Sequence, residues 1–92
     1  MSVYVDPIIT YPGKGPWCHM AADSLDELHE MASKIGLKRE WFQARARFPH
    51  YDLRPSKRYL AIRNGAVEIS AFDLLRKLKE KEGSGCPILQ SN

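Results

Sequence analysis

Two short stretches of the chain hold residue types that do chemistry. The stretch WCHMAAD, at Trp17–Asp23, contains a thiol, an imidazole and a carboxylate. The stretch HYDL, at His50–Leu53, places another imidazole two residues before another carboxylate. Histidine and aspartate together can move a proton, activate water or hold a metal ion. We expect the two stretches to line one pocket.

The candidate residues fall into three overlapping sets. The residues assigned to catalysis are His19, Asp23, His50 and Asp52. The residues assigned to ligand binding are Asp6, Gln43, Tyr51, Lys57 and Arg58. A divalent metal is one possible cofactor, and its ligands would come from Asp6, His19, Asp23, His50 and Asp52. No spacing among these residues requires a metal.

Each candidate also has a purely structural interpretation. His19 fits a histidine at the edge of the core that is bonded to the backbone, and Asp23 fits a helix cap. In HYDL, Asp52 fits a cap of the helix that follows, while Tyr51 packs in the core. These alternatives stay open at the level of sequence.

Two further reactive residues are interpreted as structural. Cys18 alternates with His19 along a strand-like run, so it should face the opposite side as a small buried residue. His29 lies at the border of an apolar helical stripe, where an imidazole is usually packed and hydrogen-bonded. Phosphate loops rich in glycine, paired C-x-x-C motifs and H-E-x-x-H are all absent from the sequence.

The charge of the chain is concentrated in one segment. The net charge is +3, but the stretch Lys38–Arg63 has eight basic and two acidic residues, a net charge of +6. The aromatic residues within it are Trp41, Phe42, Phe48, Tyr51 and Tyr59. Basic and aromatic residues together are typical of surfaces that bind phosphate-bearing ligands. A solvated basic face is the alternative.

Length and composition indicate one globular domain. The chain has 92 residues, 43% of them hydrophobic and 27% charged. The N-terminus lacks the pattern of a signal peptide, and no apolar run reaches the ~20 residues that span a bilayer. Cys18 and Cys86 are too few for a disulfide framework, so we expect a reduced, cytoplasmic protein. We assign residues 1–82 to the domain and 83–92 to a flexible tail.

The first half of the chain predicts two strands and one helix. The alternation at Val3–Val5 predicts a strand that ends at Asp6, and 17–21 predicts a second strand that ends near Asp23. The residues 11–16 between them, YPGKGP, predict a loop. An S-x-x-E capping box and an apolar stripe predict a helix at Ser24–Ile35, closed by glycine.

The second half predicts a similar alternation. We expect a short strand at 40–43, an ordered loop up to residue 54, a helix at Pro55–Arg63 and a strand at 66–69. A third helix follows, with the apolar stripe Ala71, Leu74, Leu75 and Leu78. The predicted fold is a small α/β sandwich with a short, partly parallel sheet of three to four strands and about three helices.

This fold predicts where the candidates meet. Asp6 and Asp23 should leave the carboxyl ends of adjacent strands on one rim of the sheet, where α/β proteins collect ligands. His19 and His50 should then lie closer than roughly 12 Å, the width of an ordinary pocket. Lys57 and Arg58 should stand at its mouth.

Three functions are compatible with these residues. The first is binding of a phosphate-bearing ligand, a nucleotide or a short nucleic acid. The second is hydrolysis of a phosphoester by the histidine and aspartate residues, with or without a metal. The third is a structural or partner-binding protein, such as a homodimer. Whether the protein is an enzyme is left open by the sequence.

Several blocks resemble a known family. VYVDP, CHMAADSLDELHEMASKIGLKREWFQ, PHYDLRPSKR and AIRNGAVE, within Val3–Glu68, resemble the family called domain of unknown function 4031. The resemblance implies an α/β fold and a bacterial or phage setting, and it implies no catalytic residue. Arg54 stands where the family often has a small hydroxyl residue, so Asp52 or a water should cap the following helix.

Overall fold

The computed structural model describes residues 2–44 and 48–77. Five strands are β1 (Val3–Val5), β2 (Ile9–Tyr11), β3 (Gly15–Ala22), β4 (Tyr51–Leu53) and β5 (Val67–Glu68). Three helices are α1 (Leu25–Lys34), α2 (Pro55–Arg63) and α3 (71–77), and a single 3-10 turn covers Arg39–Trp41. The architecture is the predicted α/β domain with a partly parallel sheet, with one or two more strands than expected.

The strand β3 is the centre of the sheet. It pairs antiparallel with β1, β2 and β4, while β5 pairs parallel with β1. Parallel pairing is therefore confined to one edge of the described sheet. The first residues of β3 pair with β2 and its last residues pair with β1, so the two ends of β3 have different neighbours.

A β-bulge separates β1 from β2, which pair with β3 one after the other. The strands β1 and β2 pair with successive stretches of β3, and the register shifts by one residue between them. Residues 6–8 lie at this shift, and Pro7 has no N–H to contribute to a ladder. The bulge frees the backbone and side chain of Asp6 for other contacts.

The predicted loop at 11–16 is largely a hairpin. Tyr11 ends β2 and Gly15 begins β3, so only three residues form the turn. Gly13 and Gly15 have φ of 77° and 84°, in the region that favours glycine. All three residues of β2 are exposed, so this short strand has no buried face to mark it in the sequence.

The helix α1 forms as its sequence predicts. Ser24 Oγ accepts from the Glu27 N–H at 3.2 Å, which caps the helix, and donates to Glu27 Oε1 at 2.9 Å, so the two residues of the predicted capping box are in contact. Gly36 follows the helix with φ of 82°. The residues that α1 buries are Leu28, Met31 and Ala32.

The segment between α1 and α2 differs from its prediction. A strand at 40–43 is wrong, because Arg39–Trp41 is a 3-10 turn and Gln43 makes only an isolated bridge with His50. The predicted loop before Pro55 contains β4, whose three residues alternate between core and surface. The predicted helix at Pro55–Arg63 and a strand within 66–69 are confirmed.

Helices cover the two faces of the sheet unequally. Val5, Met20 and Leu53 are completely buried on the face that carries α1 and α2. On the other face, Leu74 of α3 packs against Tyr4 and Ala21. The Asp73 N–H donates to Ser70 Oγ, so Ser70 caps the start of α3. Leu78 and the predicted tail at 83–92 lie outside the described residues, in which no helix is long and apolar enough to cross a membrane.

Candidate functional site

Three strands place a row of polar side chains on one face of the sheet. The N–H of Asp6 donates to the His19 carbonyl, and His19 pairs with Asp52 across β3 and β4. Asp6, directly after β1, therefore lies beside His19 of β3, which lies beside Asp52 of β4. They lie on the face of the sheet that carries α3, next to the part of that face where α3 packs on Tyr4 and Ala21.

Asp6 is a buried carboxylate that holds His19 in place. It is 3% exposed. Its Oδ1 accepts from the backbone N–H of His19 at 2.6 Å, and its Oδ2 accepts from Nδ1 of the same residue at 2.9 Å. Its carbonyl accepts from Nε of Arg58 at 2.9 Å. The bulge thus turns Asp6 into a fixed support for the imidazole.

The hydrogen bond to Asp6 raises the pKa of His19, although burial opposes this effect. It also sets the tautomer of the neutral ring, because a carboxylate accepts the proton on Nδ1. The Nε2 atom then faces away from Asp6, toward Oδ1 of Asp52 at 3.9 Å. His19 is a partly exposed, oriented imidazole.

His50 is held in a similar way. Its Nδ1 donates to the carbonyl of Phe48 at 2.7 Å, and its Nε2 lies 3.3 Å from Oδ1 of Asp52. The rings of His19 and His50 are 5.0 Å apart between centroids and nearly perpendicular. Their predicted proximity is confirmed. It arises from antiparallel pairing with β4 rather than from a parallel crossover.

Asp23 is not part of this cluster. Because β1 and β3 are antiparallel, Asp6 and Asp23 lie at opposite ends of the stretch over which these strands pair, so the prediction that they share a rim is wrong. Asp23 accepts from the Ser2 N–H at 2.8 Å and from the Tyr4 hydroxyl at 3.2 Å. Four residues of extended strand separate it from His19, a distance of about 13 Å. Its contacts are structural, and Ser24 caps α1.

A cavity of about 540 Å³ opens over the cluster. Its lining residues are Tyr11, Gly13, Lys14, Trp17, His19, Asp52 and Arg54. The guanidinium of Arg54 stacks on the Trp17 ring at 4.1 Å, and Trp17 Nε1 donates to the Lys14 carbonyl at 3.1 Å. A Cβ on Gly15 would approach Arg54 to 2.8 Å. The hairpin turn therefore supplies one wall and Lys14, while the second cation, Arg54, directly follows β4.

The predicted cations are occupied elsewhere. Lys57 Nζ donates to the Ile35 carbonyl at 2.7 Å, at the end of α1. Arg58 binds the Asp6 carbonyl and lies 3.4 Å from Glu68. Neither lines the histidine cavity, so their expected place at its mouth is wrong. Sequence proximity to a helix start misled the prediction, because α2 turns both side chains toward the interior.

Two other predicted ligand-binding residues have structural contacts. Tyr51 is 1% exposed, and its hydroxyl lies 2.8 Å from His29 Nδ1 in the core. Its predicted place in the pocket is wrong because β4 alternates and Tyr51 faces α1. The N–H of Gln43 donates to the His50 carbonyl. Gln43 lines a neighbouring cavity of about 420 Å³, together with Asp52, Arg54 and Lys57.

Asp52 does not cap α2. The residue at the cap position is Arg54, which makes no side-chain capping bond. Asp52 instead points its Oδ1 at the two histidines. The expectation that it replaces a missing hydroxyl cap is therefore wrong, and its carboxylate belongs to the cluster.

Tyr11, Lys14, Trp17 and Arg54 belong to the cavity but were not predicted. Trp17 opens the WCHMAAD stretch, and Lys14 sits between two glycines, which are the signals that could have drawn attention to the turn. Because β2 was not predicted, no local pattern indicated that this turn lies beside β4.

The remaining reactive residues have the structural roles that were predicted: Cys18 is buried, and His29 is half-buried and hydrogen-bonded to Tyr51. Burial raises the pKa of the Cys18 thiol to about 12, with Asp6 adding to the effect, so it stays protonated. Burial lowers the pKa of His29, and nearby Arg39 acts in the same direction. Both residues lie on the core face, away from the cavity.

The fold and site define a small mixed α/β domain with a histidine–aspartate cluster on the face of its sheet that carries α3. The chain belongs to the family described as protein of unknown function (DUF4031), whose model matches residues 3–81. This confirms the resemblance found in the sequence. No curated protein and no solved structure matches the chain significantly.

Proposed function

We propose that this protein binds a phosphate-bearing ligand, a nucleotide or a short nucleic acid, in the cavity over His19 and Asp52. The observation that carries the proposal is the pair of cations, Lys14 and Arg54, at its wall. Within residues 2–44 and 48–77 neither forms an ion pair. Both are exposed, so they are available to phosphate oxygens.

The aromatic residues of the cavity support the same proposal. Trp17 and Tyr11 offer flat faces on which a base can stack. The guanidinium of Arg54 is already oriented by its stacking on Trp17, so less side-chain entropy is lost when it binds. A volume of about 540 Å³ falls in the range of small-molecule sites.

The test is a titration with nucleotides and single-stranded oligonucleotides at two salt concentrations, in the presence of a chelator. Binding should weaken steeply with salt, because phosphate contacts release counterions. Lys14→Ala and Arg54→Ala should each cost ~1 kcal/mol or more, about a fivefold loss of affinity.

Lys34→Ala is the matched control for charge. Lys34 is an exposed cation on α1 that pairs with Glu30 away from the cavity, and its removal changes the net charge equally. Affinity should be nearly unchanged in this variant. No binding at low salt, or equal losses in all three variants, would remove the proposal.

Hydrolysis of a phosphoester is a second candidate, favoured by His19 and Asp52 in the wall of the same cavity. A neutral imidazole would accept a proton from water as the water oxygen bonds to phosphorus. The P–O bond to the leaving group breaks, and the departing alkoxide takes that proton from the imidazolium. Inorganic phosphate or alcohol released from phosphomonoesters and phosphodiesters is the measurement. If His19→Ala and His50→Ala both keep the turnover of a substrate found this way, these roles are wrong.

Self-association and a cytoplasmic location stay predictions. Phe72 and Leu75 of α3 are 70% and 53% exposed, which is apolar surface that a second copy would cover. Light scattering at high concentration measures the mass, and a strictly monomeric result would count against a homodimer.

A further inference from the structure

The cluster brings three electron-pair donors together. One ligand atom each from His19, His50 and Asp52 can be chosen so that all lie within 4.8 Å of one another. All three side chains are partly exposed, so the cluster is open to ions from solution. Asp52 is the shared member, since its Oδ1 is near the Nε2 atom of both rings.

The supporting hydrogen bonds fix which ring nitrogen faces the cluster. The Asp6 carboxylate and the Phe48 carbonyl can only accept, so both rings donate from Nδ1. In the neutral imidazoles the unprotonated Nε2 atoms therefore face Asp52. A carboxylate or carbonyl behind each ring is the arrangement that orients histidine ligands in metal sites.

Three acceptors that face each other favour a proton, a hydrogen-bond donor or a metal ion between them. Two Nε2 lone pairs and a carboxylate oxygen at 3.3 and 3.9 Å repel unless a proton or a metal ion lies among them. We propose that His19, His50 and Asp52 bind one divalent transition-metal ion of the zinc type through Nε2, Nε2 and Oδ1.

The distances fit such an ion. Ligand atoms bonded at 2.0–2.2 Å in a tetrahedron are about 3.3–3.6 Å apart. The separations from Asp52 Oδ1 are 3.3 and 3.9 Å, and all three lie within 4.8 Å, so side-chain rotations that draw the ligand atoms together would complete the geometry. The remaining coordination position opens into the cavity, because His19 and Asp52 also line it.

The ligand types select the class of metal. Two imidazoles and one carboxylate suit zinc, iron, cobalt or nickel, whereas magnesium and calcium prefer oxygen ligands. The inference goes beyond binding of phosphate, because the metal would bind without it. The two proposals therefore fail independently: metal is titrated without nucleotide, and nucleotide is titrated with a chelator present.

The experiment titrates Zn²⁺, Co²⁺ and Mg²⁺ separately by calorimetry, with Co²⁺ absorption as a report on geometry. All variants carry Cys86→Ser, because Cys86 lies outside the described residues and a thiol binds zinc. One equivalent of Zn²⁺ should bind, and Mg²⁺ should bind far more weakly. Asp52→Asn and His50→Ala should reduce the Zn²⁺ affinity by more than the about 10–100-fold expected for Asp6→Asn.

Two variants act as controls for the position of the residue. Asp23→Asn and His29→Gln remove a carboxylate and an imidazole that lie outside the cluster, and both should keep the parental Zn²⁺ affinity. Circular dichroism without metal shows that each variant is folded. The inference would be overturned by no zinc binding, by parental Zn²⁺ affinity in Asp52→Asn and His50→Ala, or by a preference for Mg²⁺.

Discussion

The two faces of the β3–β4 pair use the same residue types for different purposes. On the face that carries the cavity, here called the open face, His19 is bonded to the buried carboxylate of Asp6 and also lines the cavity. On the core face, His29 is bonded to the buried hydroxyl of Tyr51 and stacks edge-on against Phe42. Hydrogen bonding raises the pKa of His19, whereas burial lowers the pKa of His29.

The difference shows that the partner and the access to solvent decide the role of a histidine here. The short strand β4 separates the roles within three residues. Tyr51 and Leu53 are buried in the core, while Asp52 between them faces the cavity. Substitutions of buried residues should therefore change stability, and those of the partly exposed residues on the open face should change binding.

The largest effect on stability is expected from Leu53→Ala. Leu53 is completely buried, and its truncation removes apolar contacts and leaves a cavity. The free energy of unfolding should fall by about 3 kcal/mol, measured by urea denaturation. A loss below about 1 kcal/mol would mean that the core face of β4 is not packed as described.

Asp6→Asn should have the next largest effect and the broadest one. The amide offers one acceptor oxygen to two donors of His19, and it turns its own donor toward the other. Unfolding free energy should fall by about 2 kcal/mol. The comparison would fail if both the stability and the tautomer of His19, measured by nitrogen NMR, stayed unchanged.

Tyr51→Phe should lower the unfolding free energy by about 1 kcal/mol, because His29 Nδ1 loses its buried partner. Tyr59→Phe is the matched control, since the Tyr59 hydroxyl contacts only Arg63 among the described residues and the ring is 58% exposed. Thermal melts of the two variants should separate. Coincident melts would contradict the structural role of Tyr51.

Asp52→Ala should have the smallest effect on stability, although it is next to Leu53. Its carboxylate is partly exposed, so the unfolding free energy of the metal-free protein should change by less than about 0.5 kcal/mol. Affinity for Zn²⁺ should be lost in the same variant. A large destabilisation without loss of zinc binding would reverse the roles of the two faces.

The free energy of unfolding should also decrease as the pH is lowered, because His29 becomes protonated first in the unfolded state. Its pKa in the folded state is below its ordinary value of 6.5, so the unfolded state takes up a proton first as pH falls. The stabilisation is complete above pH 6.5 and is lost as pH falls through the folded pKa. Urea denaturation of the parent and His29→Gln at several pH values should show the parent losing this contribution. Parallel curves would contradict it.

The local part of the fold was predictable from the sequence. The helix α1 was marked at both ends by Ser24 and Gly36, and α2 by Pro55 and Asn64. Cys18 and His29 were placed correctly by periodicity alone. These signals lie within a few residues of the elements that they define, so they need no knowledge of the tertiary fold.

The partners of the strands were not predictable in the same way. Antiparallel pairing of β1 with β3 moved Asp23 away from Asp6, and pairing of β4 with β3 joined His50 to His19. Such pairings depend on long-range packing, which local sequence patterns do not encode. The cavity cations were missed for the same reason, since Lys14 and Arg54 line one cavity only because β4 pairs with β3.

One measurement tests the separation of the two faces most directly. Long-range proton–nitrogen NMR spectra of the histidine rings report the tautomer and the metal ligation of each ring in the Cys86→Ser protein. His19 and His50 should be protonated on Nδ1, and their Nε2 signals should shift when one equivalent of Zn²⁺ is added, while the signals of His29 stay in place. Shifts of His29 equal to theirs, or no shift of His19 and His50, would contradict the account.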